Sequence, residues 1–179
     1  MLGVLKARRG SDAGFTLIEL LIIVSVVTII TAIAAPELTR ARISGNEAAA
    51  IASIRTIASG QKTFSASCGG GYAADLTDLG LAPLDGGQPF IPADLAAAAP
   101  AGSPKSGYEF SITSGTGVVV LEAAKTCNGS AHDTESMFFA TGDPSDAASG
   151  ARFFATDQSG HVRQDIVQLS AITDGNPLE

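Results

Sequence analysis

Glu19 is the single charged side chain in the 21-residue run from Phe15 to Ala35, FTLIELLIIVSVVTIITAIAA. A carboxylate in such surroundings must find a cation or give up its charge, because an uncompensated ion in hydrocarbon costs roughly 2.5–3.5 kcal/mol on insertion scales. Its chemistry is therefore pairing, with snorkelling to the headgroups as the bland alternative. Other reactive side chains are scattered. His132, beside Asp133, and His161 are the two histidines, and neither has the helical spacing or the cysteine partners of a metal site. There is no G-x-S-x-G, no Walker sequence and no placed pair of carboxylates. Asp143, Asp146, Asp157, Asp165 and Asp174 match no calcium-loop spacing and read as solvated loop acids. Gly69-Gly70-Gly71 lacks the strand before it and the Gly-Lys-Ser/Thr after it that a phosphate nest requires, so it reads as a turn beside Cys68. No catalytic residue, metal or cofactor is expected, and the chain does not read as an enzyme.

The elements that position Glu19 follow from length and charge. The 179 residues suffice for one domain with an appendage, and 45% hydrophobic residues with a mean hydropathy of +0.27 exclude a disordered or collagen-like chain. Lys6, Arg8 and Arg9 against Asp12 give residues 1–14 a net +2, leaving −9 of the overall −7 to the rest. An acidic bulk argues against nucleic acid as a partner, since phosphate binding needs clustered cations. At 1.5 Å per residue the apolar run spans roughly 30 Å, one crossing of a bilayer. Cations before it place Met1 in the cytoplasm and the acidic remainder outside. Three readings of this N-terminus compete: a cleaved signal peptide ending at Ala32-Ile33-Ala34, an uncleaved anchor, and a segment that is processed ahead of the apolar run and keeps it. The first two leave Glu19 unexplained.

The third carries a resemblance. Gly14-Phe15-Thr16-Leu17-Ile18-Glu19, after a short basic leader and before an apolar run, resembles the processing site of type IV pilins and of the pseudopilins of type II secretion. The resemblance is specific over Arg8 to about Phe64 and loose beyond. It implies cleavage by a prepilin peptidase between Gly14 and Phe15, N-methylation of Phe15, and subunit docking through Glu19 and Phe15. Cleavage would create an α-ammonium at Phe15, four residues from Glu19, and between staggered subunits the two charges could cancel. The resemblance further implies a helical homopolymer with minor pilins, an inner-membrane platform protein and an assembly ATPase as partners. It places the precursor in the bacterial inner membrane, and the mature chain in a surface pilus or a periplasmic pseudopilus. The alternative functions are a pseudopilin of a type II secretion system and a secreted or anchored binding domain with an ordinary signal sequence.

Beyond the membrane the helical pattern continues through Leu38, Ala41, Ala48, Ile51, Ile54, Ile57, Ala58 and Phe64, with Arg40, Arg42, Asn46, Glu47, Arg55 and Lys62 on other faces. Pro36 and Gly45 should kink or loosen this helix, unless Pro36 separates two independent helices. The expected organisation is a cleaved leader over 1–14, a long helix over 15–64, a variable connection over 65–104, and an antiparallel sheet with a C-terminal tail over 105–179. Short helical turns are expected at Asp75–Leu81 and Ala93–Ala99. Tyr108–Thr113 and Val118–Ala123 read as a hairpin turning at Gly115-Thr116-Gly117. Ser136–Thr141, Arg152–Thr156 and His161–Gln164 are further strands, the last two separated by a turn at Asp157-Gln158-Ser159-Gly160. The fold class is α+β, with a sheet of four or five strands packed on the helix through Phe110, Val119, Phe138 and Phe154. Cys68 and Cys127, 59 apart and on the exported side, are expected to form a disulfide, with two buried thiols as the alternative.

Overall fold

The computed structural model describes residues 14–98, 103–171 and 174–178. The leader expected over 1–14, Gly14 apart, lies outside the described residues. The chain divides into two units, Met1–Leu38 and Thr39–Glu179. A single helix, α1 (Leu17–Ser67), contributes to both, with Pro36 inside it.

Among the described residues of the first unit the large apolar side chains are exposed, from 82% at Leu17 to 48% at Ile23. The hydroxyls in this stretch turn back on their own helix. Ser25 Oγ donates to the Ile22 carbonyl at 2.8 Å, Thr28 Oγ1 to Val24 at 2.7 Å and Thr31 Oγ1 to Thr28 at 3.0 Å. The polar groups are thus satisfied within the helix, as a surrounding without water requires.

In the second unit α1 buries a stripe at alternating spacings of three and four: Glu47, Ala50, Ile54, Ile57, Gln61 and Phe64. Leu38, Ala41 and Ala48, expected on the apolar face, are exposed instead, because the stripe is fixed by the sheet it meets and two of its positions are polar. The helix continues three residues past Phe64 and ends beside Cys68. The connection that follows holds α2 (Leu76–Leu79) and α3 (Ala93–Ala96). Asp75 caps α2 by accepting the Thr77 amide at 2.7 Å. Ala99, expected in the second turn, falls outside the described residues.

The main sheet is antiparallel in the order β1-β4-β5-β6-β7, with β1 Tyr108–Thr113, β4 Phe139–Pro144, β5 Phe153–Asp157, β6 Val162–Asp165 and β7 Asn176–Pro177. β2 (Val119–Leu121) and β3 (Thr134–Glu135) form a separate ribbon. The expected β1–β2 hairpin is therefore not formed. The Ser114–Gly117 turn closes as anticipated, its Gly117 amide donating to the Ser114 carbonyl at 2.8 Å. Val118 and Ser136 then exchange bonds, 3.0 Å from the Val118 amide to Ser136 Oγ and 2.9 Å from the Ser136 amide to the Val118 carbonyl, and carry β2 to β3. β1 instead finds a six-residue register on β4, including a 2.8 Å bond between the hydroxyls of Ser111 and Thr141. A three-residue β2 could not match it. Val119 is 55% exposed and leaves the core list for the same reason. The strand expected at Ser136–Thr141 begins three residues late, as β4, and residues 136–138 join it to β3, which ends at Glu135. The Asp157–Gly160 turn forms, its Gly160 amide donating to the Asp157 carbonyl at 2.9 Å.

Phe110, Phe138 and Phe154 do form the core, with Tyr108, Ile54, Ile57 and Phe64. Gly142 of β4 lies against both a strand and a helix side chain. A Cβ there would stand 2.9 Å from the Phe110 ring and 3.4 Å from Ile54 Cδ1, so the absence of a side chain in β4 admits both. Phe64 meets Phe90 of the connection edge-to-face, centroids 5.3 Å apart. Cys68 and Cys127 are joined by a disulfide, with Cα atoms 4.6 Å apart.

Candidate functional site

The start of α1 is built by four residues. Thr16, Leu17, Ile18 and Glu19 form a capping box, a Thr or Ser followed three residues later by Glu or Gln. The Glu19 amide donates to Thr16 Oγ1 at 3.3 Å, while Glu19 Oε2 accepts the Thr16 hydroxyl at 3.3 Å and lies 3.5 Å from its amide. The carboxylate of the apolar run is thus folded back on the first turn. There it satisfies a donor left open by the helix and lies toward the positive end of the helix dipole. Ahead of it Phe15 is 74% exposed, and among the described residues nothing comes within 4 Å of where a Gly14 side chain would begin. Behind it runs a helix long and apolar enough to cross a bilayer.

Residues 9–35 match the family model for the prokaryotic N-terminal methylation motif. The chain carries the type IV pilin and pseudopilin signature. The match covers the Gly14–Phe15 junction and the apolar segment and does not extend to the sheet. No curated protein and no solved structure matches the chain. The motif, which type IV pilin-like precursors carry, and a helix long and apolar enough to cross a bilayer fall in the same segment of the chain.

The other side chains singled out by type do not converge with this site. His132 meets Asp78, with Nδ1 2.9 Å from Oδ2, while Asp133 beside it accepts the Ala123 amide at 2.8 Å. His161 is exposed after the β5–β6 turn. Each loop acid has its own local task. Asp146 accepts the Ser149 and Ala148 amides at 2.7 and 2.9 Å, and these bonds hold its carboxyl below the usual range. Asp143 accepts Gln168 Nε2 at 2.7 Å, yet burial pushes its carboxyl up. Asp157 takes the amide and hydroxyl of Ser159, Asp165 the amide of Ile166, and Asp174 the amides of Ser170 and Ala171.

Three residues that organise the second unit escaped the motif reading. Glu47 is buried on α1 and bonds Arg152 of the β4–β5 loop twice, from Nη2 at 2.6 Å and Nε at 2.9 Å, while its other oxygen accepts the Ala151 amide at 3.1 Å. Gln61 is fully buried and pairs both amide atoms with the backbone of Ala73, each at 2.8 Å. Asp78 is buried on α2 beneath the Cys127 loop. The signal for the first two was available in spacing alone, since 47, 50, 54, 57, 61 and 64 continue one heptad-like row regardless of residue polarity.

Proposed function

We propose that the chain is a structural subunit of a type IV pilus-like filament, cleaved by a prepilin peptidase between Gly14 and Phe15, N-methylated at Phe15, and polymerised through α1. The observation that carries this reading is the sequence Gly14 to Glu19 at the mouth of an exposed apolar helix, matched by the methylation motif over residues 9–35. Removal of residues 1–14 would free an α-ammonium at Phe15. The carboxylate that caps the first turn within one chain would then have a cation to meet on the next, supplying attraction and axial register. Transfer of the apolar helices from lipid into a bundle would replace lipid contacts with helix–helix packing.

Pro36 and Gly45 are the points at which such a helix would bend, the first lacking an amide donor and the second lacking a side chain, with open space where its Cβ would stand. The reading requires the peptidase, an inner-membrane platform protein and a cytoplasmic ATPase as partners, with minor pilins sharing the filament. It places the precursor in the inner membrane.

N-terminal sequencing of the mature protein tests it. A chain starting at a methylated Phe15 and recovered in sheared filaments supports the proposal. A start near Ala35 or Pro36 would remove the polymerising helix and sink it in favour of a secreted domain.

A further inference from the structure

The loop between the β2 ribbon and β3 is held by polar contacts gathered on α2. Thr126, Asn128 and Ser130 are buried in it, and Cys127 lies among them. Asn128 Nδ2 donates to the Asp78 carbonyl at 2.7 Å and Asn128 Oδ1 accepts Ser130 Oγ at 2.7 Å. The Ser130 amide donates to Thr126 Oγ1 at 2.9 Å, and the Cys127 carbonyl accepts the Leu84 amide at 2.8 Å. The Asp78 carboxylate, 1% exposed, closes the arrangement. Oδ1 accepts the Ala131 amide and Oδ2 faces His132 Nδ1, each at 2.9 Å. A buried carboxylate needs a counter-charge, and the side chain that offers one here is an imidazole whose other edge reaches solvent, 54% exposed.

We propose that the Asp78–His132 contact is a proton-operated latch, which holds the Cys127 loop against α2 and so governs how readily an external reductant reaches the Cys68–Cys127 disulfide. The charged groups around His132 are consistent in sign. Asp78 and Asp75 face it from α2, Asp133 beside it is engaged with the Ala123 amide, and Lys125 of the same loop is paired with Glu122 at 3.0 Å. The hydrogen bond to Asp78 and then its negative charge hold the imidazole pKa above its ordinary 6.5, Asp75 adds to this and partial desolvation opposes it. The raised value means that the latch is fully closed below the unfolded imidazole pKa and loosens as pH rises through the folded one. Loss of the proton leaves Asp78 as a buried anion bonded to the Ala131 amide and to whatever the neutral ring can donate. The loop is then free to open. This reading is independent of filament assembly, because it concerns the folded domain alone.

The test is the rate at which a water-soluble phosphine reduces the disulfide in the full chain held in detergent micelles, followed by mass. The phosphine leaves as its oxide, taking its oxygen from water, and the disulfide sulfurs leave as two thiols. Rates are normalised to a small disulfide under the same conditions, which removes the reductant's own pH dependence. The expected result is that the normalised rate of the unaltered chain rises about threefold between about pH 6 and about pH 8.5, the factor one partly exposed ion pair supports. His132→Gln should be fast at both ends. The Ala131 amide should lose hydrogen-exchange protection in the same variant at low pH, a change that reports on the loop without any redox chemistry. Asp78→Asn should match His132→Gln where it folds, and His132→Gln alone decides where it does not. Equal pH profiles in the unaltered and His132→Gln chains, or unchanged protection of Ala131 at low pH, would overturn the latch.

Discussion

Glu47 of the helix holds Arg152, the residue before β5, by two bonds to one carboxylate oxygen, at 2.6 and 2.9 Å, and the guanidinium in turn lies 5.6 Å from the centre of the Phe154 ring. Arg152 also donates to Gln164 Oε1 of β6 at 2.6 Å, and its carbonyl accepts the Tyr108 hydroxyl at 2.9 Å. One pair thereby fixes α1 against β1, β5 and β6. Asn46, the residue before Glu47, adds a 2.9 Å bond to the Ser149 carbonyl.

Glu47→Ala should lower the stability of the folded domain by about 2–3 kcal/mol. A fully buried pair that loses one partner costs about 3–5 kcal/mol, and the partial exposure of Arg152 lowers that figure. Thermal unfolding checks it, and an unchanged midpoint would show the pair to be energetically neutral. Replacing both partners by apolar residues should restore part of the loss.

Gln61→Leu keeps the volume but strands the amide and carbonyl of Ala73 without partners. The expected cost is about 2–3 kcal/mol, with the connection after Cys68 loosening before the sheet does. Amide exchange at Ala73 reads this directly, and protection equal to that of the unaltered chain would contradict it.

The helix was legible in sequence for a physical reason: an apolar run and the row of threes and fours that follows it are local, whereas the Thr16–Glu19 capping box was not read from the same residues. The strands at Tyr108 and Phe153 were legible too, since alternation is local as well. Partner choice was not. Whether β1 pairs with β2 or β4 depends on register over six residues and on where Val118 finds Ser136, and neither is written near the turn. Glu47 and Gln61 were hidden for a related reason. A charged or amide residue reads as solvent-facing until a distant Arg152 or Ala73 is known to lie opposite, and only their place in the row of threes and fours pointed inward.

Cys68→Ser should reduce stability by about 4 kcal/mol on the chain-entropy account of a loop closed over 59 residues. The same bond predicts that reduction adds the mass of two hydrogens. Free thiols in the isolated protein would contradict the linkage.

On the proposed reading, Glu19→Ala in the precursor should leave cleavage after Gly14 unaffected, because the Gly14–Phe15 bond is four residues distant. Filament yield should fall roughly tenfold or more, the loss expected if docking gives up about 1.4 kcal/mol per subunit. Filaments at normal yield from cleaved Glu19→Ala subunits would remove the docking role and leave the carboxylate as a helix cap alone.

Burial, and then the charge of Glu47, push the Tyr108 hydroxyl up to about 12 from 10.0. An acid whose folded value is raised favours the folded chain less as it ionises in the unfolded one. Stability should therefore decline between about pH 10 and about pH 12. Ultraviolet difference titration of the unaltered chain against Tyr108→Phe isolates this hydroxyl, and its ionisation near 10 would be the contrary result.

The chain between α1 and the sheet is suspended from fixed points, among them Gln61 on Ala73, Cys68 on Cys127, and Tyr72, whose amide donates to the Glu135 carbonyl at 2.7 Å. Between the last of these anchors and Phe90 it passes through Asp85-Gly86-Gly87, where both glycines have positive φ and nothing stands within 4 Å of a Cβ at Gly86. Extra residues placed there would push against no neighbour. That turn is accordingly the site at which a peptide tag could be grafted for decoration of the protein's surface, with the anchors on either side isolating the core from the graft.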